Sequence, residues 1–517
     1  MNLTAIGNSM DKKLTGFIFA LSLIPLALHL YTNLFASYGI FRDELYYLSC
    51  ASRPALGYVD QPPFSIYILA IIKLLIGDSL LAIRLLPALM HSATVFITGL
   101  IVKELNGGKL AAAYACIAMA LAPIYLAMHT VYSMNIFDFL FWTLTYYLII
   151  KIVKNSNPKL WMKLGVVLGL GLLNKIGILW LCAGLFLGLL LTPQRKELKT
   201  KWPWISAVIA LMIFSPYIIW NITHDFAHLE FIRNASQYKY SGLSPVDFVV
   251  NQFLILNPGS AIIWLAGIYF FFFNKEGKNF KLAGIIYVIS FLVLVLNGTS
   301  KAEYLAPAYS AMFAGGGVLL EQIDFRKYWK WLKYAVLIPL AISGIILIPI
   351  VLPILPVDKF IHYAESIGFG PSSSENKELA ELPQFYADMF GWEDLAKTIS
   401  GIYLSLPDEQ RKNTVVYGRN YGEVAAVEYY SKKYPLPEAV SPHNSFYFWS
   451  LGKDDVTTVI VIGGVIEDHL NAGHSVDMKT TYTSKYIMPY ENNLPIFVIT
   501  DLFRTIDEIM ETDRHYE

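Results

Sequence analysis

Charge is scarce in this chain and cysteine scarcer still. Only 15% of its 517 residues are Asp, Glu, Lys or Arg, 55% are hydrophobic, and the formal net charge is zero. That balance excludes a single soluble domain and leaves no basic surface for a nucleic acid. The three cysteines, Cys50, Cys116 and Cys182, stand far apart, the last two inside apolar runs, so neither a disulfide framework nor a cysteine-built metal site is read. Histidines do not recur at metal-ligand spacing, and no protein-built zinc site is expected. Repeats with a period of about 20–50 residues and low-complexity tracts are also missing. What remains is apolar sequence in long runs, the mark of a polytopic α-helical membrane protein.

Runs suited to membrane spans lie near 14–35, 81–102, 110–129, 136–153, 161–173, 176–192, 204–220, 258–273, 282–297, 304–320 and 334–355, about eleven in all. Lys12 and Lys13 precede the first run, and no small-residue cleavage site follows it, so it reads as a retained span. With a cytoplasmic N-terminus, every second loop carries the basic residues. They are Lys103 and Lys109, then Lys151, Lys154 and Lys159, then Arg195, Lys196, Lys199 and Lys201, then Lys275, Lys278 and Lys281, then Arg326, Lys327, Lys330 and Lys333. The positive-inside rule then sets the first loop on the outer face of the cytoplasmic membrane.

That loop is the most polar stretch near the start of the chain. Residues 38–64 read YGIFRDELYYLSCASRPALGYVDQPPF. The adjacent acids Asp43 and Glu44 close a membrane helix and are followed by Tyr46 and Tyr47, which suits a general base for an acceptor hydroxyl or amine. A merely solvated acid pair is the alternative. Asp60 favours the first reading, because the ends of a short aromatic excursion can bring the acids together and separate their pKa values. Residues 62–77 begin with two prolines and are short for a span; they read as a helix lying in the outer interface.

From about Asp358 the long apolar runs cease. A polar connection near 372–377 is followed by strand-like TVVY, TTVIVIGG and PIFVIT separated by helical stretches, which predicts a C-terminal α/β soluble domain. The division expected is 1–357 for the membrane domain, with the first outer loop at 36–80, and 358–517 for an extracytoplasmic domain. GRNYGE after the first of these strands lacks the GxGxxG spacing and reads as a structural turn.

The D-E pair after the first span, the acid-x-P-P element opening an interfacial helix, and a tail containing FYADMFGWEDLAKT and NYGEVAAVEYY together resemble the bacterial C-type glycosyltransferases. These form the protein O-mannosyltransferase and lipid A aminoarabinose transferase superfamily, glycosyltransferase family 39-like. The resemblance implies the C-type glycosyltransferase fold. It also implies transfer of a sugar from a polyprenyl phosphate carrier to a lipid, glycan or protein acceptor, with membrane lipids around the site. Asp43 would activate the acceptor, and Glu44 and Asp60 would shape the site. Where some relatives have a lysine after the second acid this chain has Gln61, and where some have an arginine after the D-E pair it has Tyr46.

A lipid phosphate leaving group calls for a cation. Lys301 in GTSKAEYLAP, with Tyr304 beside it, matches the lysine-then-tyrosine entry to a late span in the family; Lys175, Arg42, Arg53 and Arg84 are the other candidates. A lysine snorkelling at a span end is the plain alternative for any of them. Asn135 and Asp138 open a span, where an aspartate is costly unless it lines a cavity, while Asn135 as a helix cap is the competing reading. His29 in the first span and His91 in the second each read as a satisfied interhelical contact rather than a ligand, and His129, at the outer end of its span, as a residue within reach of the site. No cofactor is implied, and a divalent metal ion bound by acids is left open. The rival function is a lipid or sugar transporter or flippase, which would place ionisable groups at mid-bilayer and show paired halves.

Overall fold

The computed structural model describes residues 3–239, 244–298, 300–323, 331–372, 378–453 and 455–517. The basic residues Arg326, Lys327 and Lys330 and most of the polar connection near 372–377 lie outside these. The chain divides into two compact units. The first comprises Met1–Ala36, Ser79–Ile219 and Gly242–Pro356, and the second Ser37–Asp78, Trp220–Ser241 and Val357–Glu517.

The first unit is helical. All the apolar runs read from sequence are helices, but their lengths sort them. Six pass as candidate spans on length and composition among the described residues: Asp11–Phe35, Leu80–Glu104, Asn135–Asn155, Trp202–Thr223, Gly277–Leu296 and Leu332–Val351. Two bent pairs, Ile178–Leu191 with Pro193–Lys199 and Pro245–Ile255 with Pro258–Phe273, raise the number to 8 if each is one span. The expected count of about eleven is therefore met only to 6–8, for a local reason. The run at 110–129 is broken at Ala122-Pro123, where a proline N–H is missing and the residue before it is forced out of the helical region. The run at 161–173 makes a helix of 14 residues, shorter than the roughly 20 that cross a bilayer. The run at 304–320 begins as a 3-10 turn, Ala302–Ala308, before Tyr309–Gln322. Helices Ala261–Phe273 and Tyr309–Gln322 approach closely because a Cβ on Gly267 or Gly316 would meet the other helix's backbone, at Met312 or Ile263. Small residues at such a crossing substitute close van der Waals packing for the hydrophobic drive that lipid removes.

The second unit is built on a five-stranded sheet ordered β2-β1-β3-β5-β4, with β1 Thr414–Tyr417, β2 Glu438–Val440, β3 Thr458–Ile462, β4 Gly473–Tyr482 and β5 Leu494–Leu502. β1 runs parallel to β2 and β3, while β5 is antiparallel to β3 and β4. β3 reads TVIVI without alternation because it is central and buried along its whole length. The strands anticipated from TVVY, TTVIVIGG and PIFVIT are β1, β3 and β5. β2 and β4 were not foreseen, since β2 has three residues and β4 is an edge strand whose GHSVDMKTTY is largely exposed and polar. The same unit contains the helices Arg42–Ser52 and Phe64–Leu75, the latter leaving Ile71, Leu74, Leu75 and Ile76 exposed. It also contains the helix Tyr421–Tyr430, which packs on Arg42–Ser52.

Candidate functional site

In the second unit, the acids of the first loop sit on the helix Arg42–Ser52. Both Asp43 and Glu44 lie in its first turn, where carboxylates favour the free N–H groups and the positive end of the helix dipole. Their fates then differ. Glu44 is fully buried and turns back to accept the Phe41 N–H at 3.0 Å, closing the helix start. Asp43 keeps 41% of its side chain exposed and accepts the Tyr421 hydroxyl at 2.7 Å. Asp60 accepts the Tyr46 hydroxyl at 2.8 Å, and the Tyr46 and Tyr421 rings lie 4.9 Å apart. The two acids are thus joined through a pair of packed phenols. Burial, with Asp60 adding to it, pushes the Tyr46 phenol well above its usual range, so it stays a neutral donor.

The arginines of this segment are already engaged. Arg42 is buried, donates to the Tyr490 hydroxyl at 2.6 Å, and faces the buried acids Asp388 at 3.7 Å and Glu491 at 3.8 Å. Its guanidinium also lies 5.3 Å from the centre of the Tyr421 ring and 3.9 Å from Asp43. Arg53 pairs with Glu428 and lies over Trp449 at 4.7 Å. Gln61 is fully buried, and neither atom of its amide has a hydrogen-bond partner among the described residues. The GRNYGE turn is structural, as expected: Glu423 is buried and accepts the Arg419 N–H at 2.7 Å while Asn420 caps the helix that follows. Burial raises the Glu423 carboxyl to about 7, against the opposing pull of those backbone N–H groups.

A second constellation lies in the first unit and joins four residues singled out separately. Lys175 donates to Asn135 Oδ1 at 2.7 Å, pairs with Asp138 at 3.6 Å, and lies 5.3 Å from the centre of the Tyr304 ring. Asn135 is the first residue of its helix rather than the cap, and its amide oxygen serves the lysine instead of the backbone. Asp138 is buried, and the ammonium answers its charge. Lys301 is half-buried at the start of the Ala302–Ala308 turn, one turn ahead of Tyr304. Arg84 is buried, and its carbonyl accepts the Asn33 amide at 3.1 Å.

The histidines also gather in this unit. His29 and His91 share a hydrogen bond of 3.0 Å between helices, so each makes an interhelical contact and its partner is the other histidine, and His129 stacks on His91 at 4.6 Å. Among the described residues no group of three or more His, Cys, Asp or Glu side chains is arranged to hold a metal ion. The neighbours of these residues that sequence missed are Tyr421, Asp388, Glu491 and Tyr490, of which Tyr421 lies in the quoted NYGEVAAVEYY and Asp388 in FYADMFGWEDLAKT.

Comparison with known proteins gives this arrangement a setting. The fold matches a structure of ArnT from Cupriavidus metallidurans bound to undecaprenyl phosphate, with TM-score 0.63 and 14% identity over 94% of this chain and 98% of that one. It also matches the arabinofuranosyltransferase AftD from Mycobacteria, with TM-score 0.52 and 12% identity over 93% of this chain and 41% of that one. The lipid A galacturonosyltransferase RgtD of Rhizobium johnstonii is 22% identical over 320 residues, 60% of this chain and 65% of that relative's length. The chain therefore has the fold of a multi-pass membrane glycosyltransferase. Residues 60–220 match the model of the dolichyl-phosphate-mannose-protein mannosyltransferase family.

Proposed function

We propose that the protein is an inverting glycosyltransferase of the cytoplasmic membrane that moves a sugar from a polyprenyl phosphate carrier to a lipid, glycan or protein acceptor on the outer face. The observation that carries this reading is Asp43: a half-exposed carboxylate oriented by the Tyr421 hydroxyl, the geometry a general base for an acceptor needs. In the proposed step the acceptor O–H or N–H gives its proton to Asp43, its heteroatom bonds to the anomeric carbon, and the C–O bond to the carrier phosphate breaks. The polyprenyl phosphate leaves with the electron pair, and one displacement inverts the carbon.

Asp60 and Tyr46 position the acid and its phenol partner. Glu44 and Arg42 act as positioning residues of the same helix, and Gln61 borders the acceptor side. For the carrier phosphate, Lys301 is the first candidate, with Tyr304 supporting it. Lys175 is the second, supported by its gathering with Asn135 and Asp138. About eleven crossings, a membrane domain at 1–357, an extracytoplasmic domain at 358–517 and an interfacial helix Phe64–Leu75 complete the proposal. The binding of undecaprenyl phosphate by the ArnT structure and the lipid acceptor in RgtD's name support the carrier and acceptor classes.

The test is transfer of radiolabelled sugar from a panel of polyprenyl phosphate sugars into membrane extract by the purified protein. Label entering a lipid, glycan or protein fraction supports the reading and names the acceptor class. Carrier binding without transfer from any donor would overturn it in favour of transport.

A further inference from the structure

In the first unit, two buried side chains from two different helices hold the turn that carries the residues proposed to meet the carrier phosphate. Lys301 precedes the turn Ala302–Ala308 and Tyr304 lies within it, its N–H closing onto the Lys301 carbonyl at 3.1 Å. Lys301, Glu303 and Tyr304 are half-buried, whereas Ala302, Leu305 and Ala306 are buried. On the buried side, Gln252 of the helix Pro245–Ile255 donates to the Ala302 carbonyl at 3.0 Å. Tyr125 of the helix Pro123–Met128 donates to the Ala306 carbonyl at 2.6 Å. The Tyr304 ring centre lies 5.3 Å from the Lys175 ammonium and 6.1 Å from the centre of the Trp180 ring.

Neighbours fix the orientation of the Gln252 amide. Its nitrogen also donates to the Phe248 carbonyl at 3.2 Å, and its oxygen accepts the Tyr309 hydroxyl at 3.1 Å. That hydroxyl in turn accepts the Tyr287 hydroxyl at 3.1 Å. A flipped amide would set its oxygen against two carbonyls, so only one orientation satisfies the group. Gln252 is 1% exposed, and Tyr125 and Tyr309 are fully buried. In such surroundings a carbonyl that loses its donor has no water to replace it, so each bond holds the backbone to one place. The two anchored carbonyls stand at the start of the turn and four residues on, with Tyr304 between them.

We infer that Gln252 and Tyr125 are positioning residues for the carrier phosphate, fixing the turn so that Lys301 and Tyr304 present to it; this rests on the proposed role of Lys301 and Tyr304. Equilibrium binding of radiolabelled decaprenyl phosphate to the purified protein in detergent tests it, with decaprenol as control. Gln252→Met should weaken binding of the phosphate about fivefold and Tyr125→Phe about threefold, with decaprenol binding unchanged. In a Lys301→Gln background, Gln252→Met should cost less than about twofold, because its effect passes through the lysine. Tyr309→Phe removes a hydroxyl from the same network but leaves the bond to Ala302, and should change binding by less than about twofold. If Gln252→Met does not fold, Tyr125→Phe carries the same comparisons. An undiminished loss in the Lys301→Gln background, an equal loss for decaprenol, or a Tyr309→Phe effect as large as that of Gln252→Met would reduce both residues to structural supports and overturn the positioning role. Full binding by Gln252→Met and Tyr125→Phe beside a weakened Lys301→Gln would overturn that role alone, whereas full binding by Lys301→Gln would overturn the phosphate assignment beneath it.

Discussion

Two aspartates divide the chemistry of this chain, and they are held in opposite ways. Asp43 in the second unit is partly exposed and receives a phenol, while Asp138 in the first unit is buried and receives an ammonium. A buried carboxylate needs a charge beside it, because desolvation of the ion outweighs what neutral donors return. A carboxylate near water needs only orientation. The first arrangement leaves a carboxylate oriented and open to solvent; the second ties a carboxylate and an ammonium into a fixed polar support. The difference separates the residue expected to do chemistry from the residues expected to hold a phosphate or a helix.

The largest effect should come from breaking the buried pair. Lys175→Met leaves Asp138 without its cation and should destabilise the protein by about 3–5 kcal/mol, read as a fall in the unfolding midpoint in detergent. Adding Asp138→Asn should restore most of that loss, whereas Asp43→Asn alone should shift stability by less than about 0.5 kcal/mol. An equal midpoint in all three variants would erase the contrast.

Next in size is Tyr421→Phe. Removing a phenol bound to a carboxylate costs about 1.5–3 kcal/mol, so kcat should fall roughly tenfold or more with donor KM little changed. A change confined to KM would place Tyr421 in ground-state binding instead.

Glu423 offers a smaller, pH-dependent check. Its carboxyl rises from 4.5 to about 7 on folding, so the folded chain binds the extra proton between those values. The stability it brings is complete below about 4.5 and is lost as pH climbs to about 7, at no more than about 1.4 kcal/mol per pH unit. Glu423→Gln should flatten that slope in thermal melts, and an unchanged slope would assign it to another group. The smallest effect expected is from Tyr46→Phe, about 1 kcal/mol, since Asp60 is half-exposed and water can replace the phenol.

Much of the membrane unit was legible because apolar length is itself the signal, and the apolar runs are helical, whole or in pieces. Span number was less so, since Ala122-Pro123 and the short 14-residue helices break runs that composition alone treats as continuous. In the site, Asp43, Glu44 and Asp60 stood out as charge in an apolar setting. Their partner Tyr421 did not, being 378 residues from Asp43. Lys175, Asn135 and Asp138 were each visible by type, but 40 residues separate the lysine from Asn135, and no periodicity spans that gap. Glu44 shows the converse: its neighbour's role cannot be read onto it, because one helical step turns it from solvent to the core.

The central claim rests on Asp43, and a single-turnover assay tests it most directly. Wild type and Asp43→Asn would be loaded with a labelled polyprenyl phosphate sugar and mixed with acceptor. The account predicts equal donor binding and equal unfolding midpoints, with transfer by the variant slower by roughly 10²–10⁴-fold. Transfer within about threefold of wild type at equal stability would contradict it, and Asp43 would then be no more than a solvated acid at a helix start.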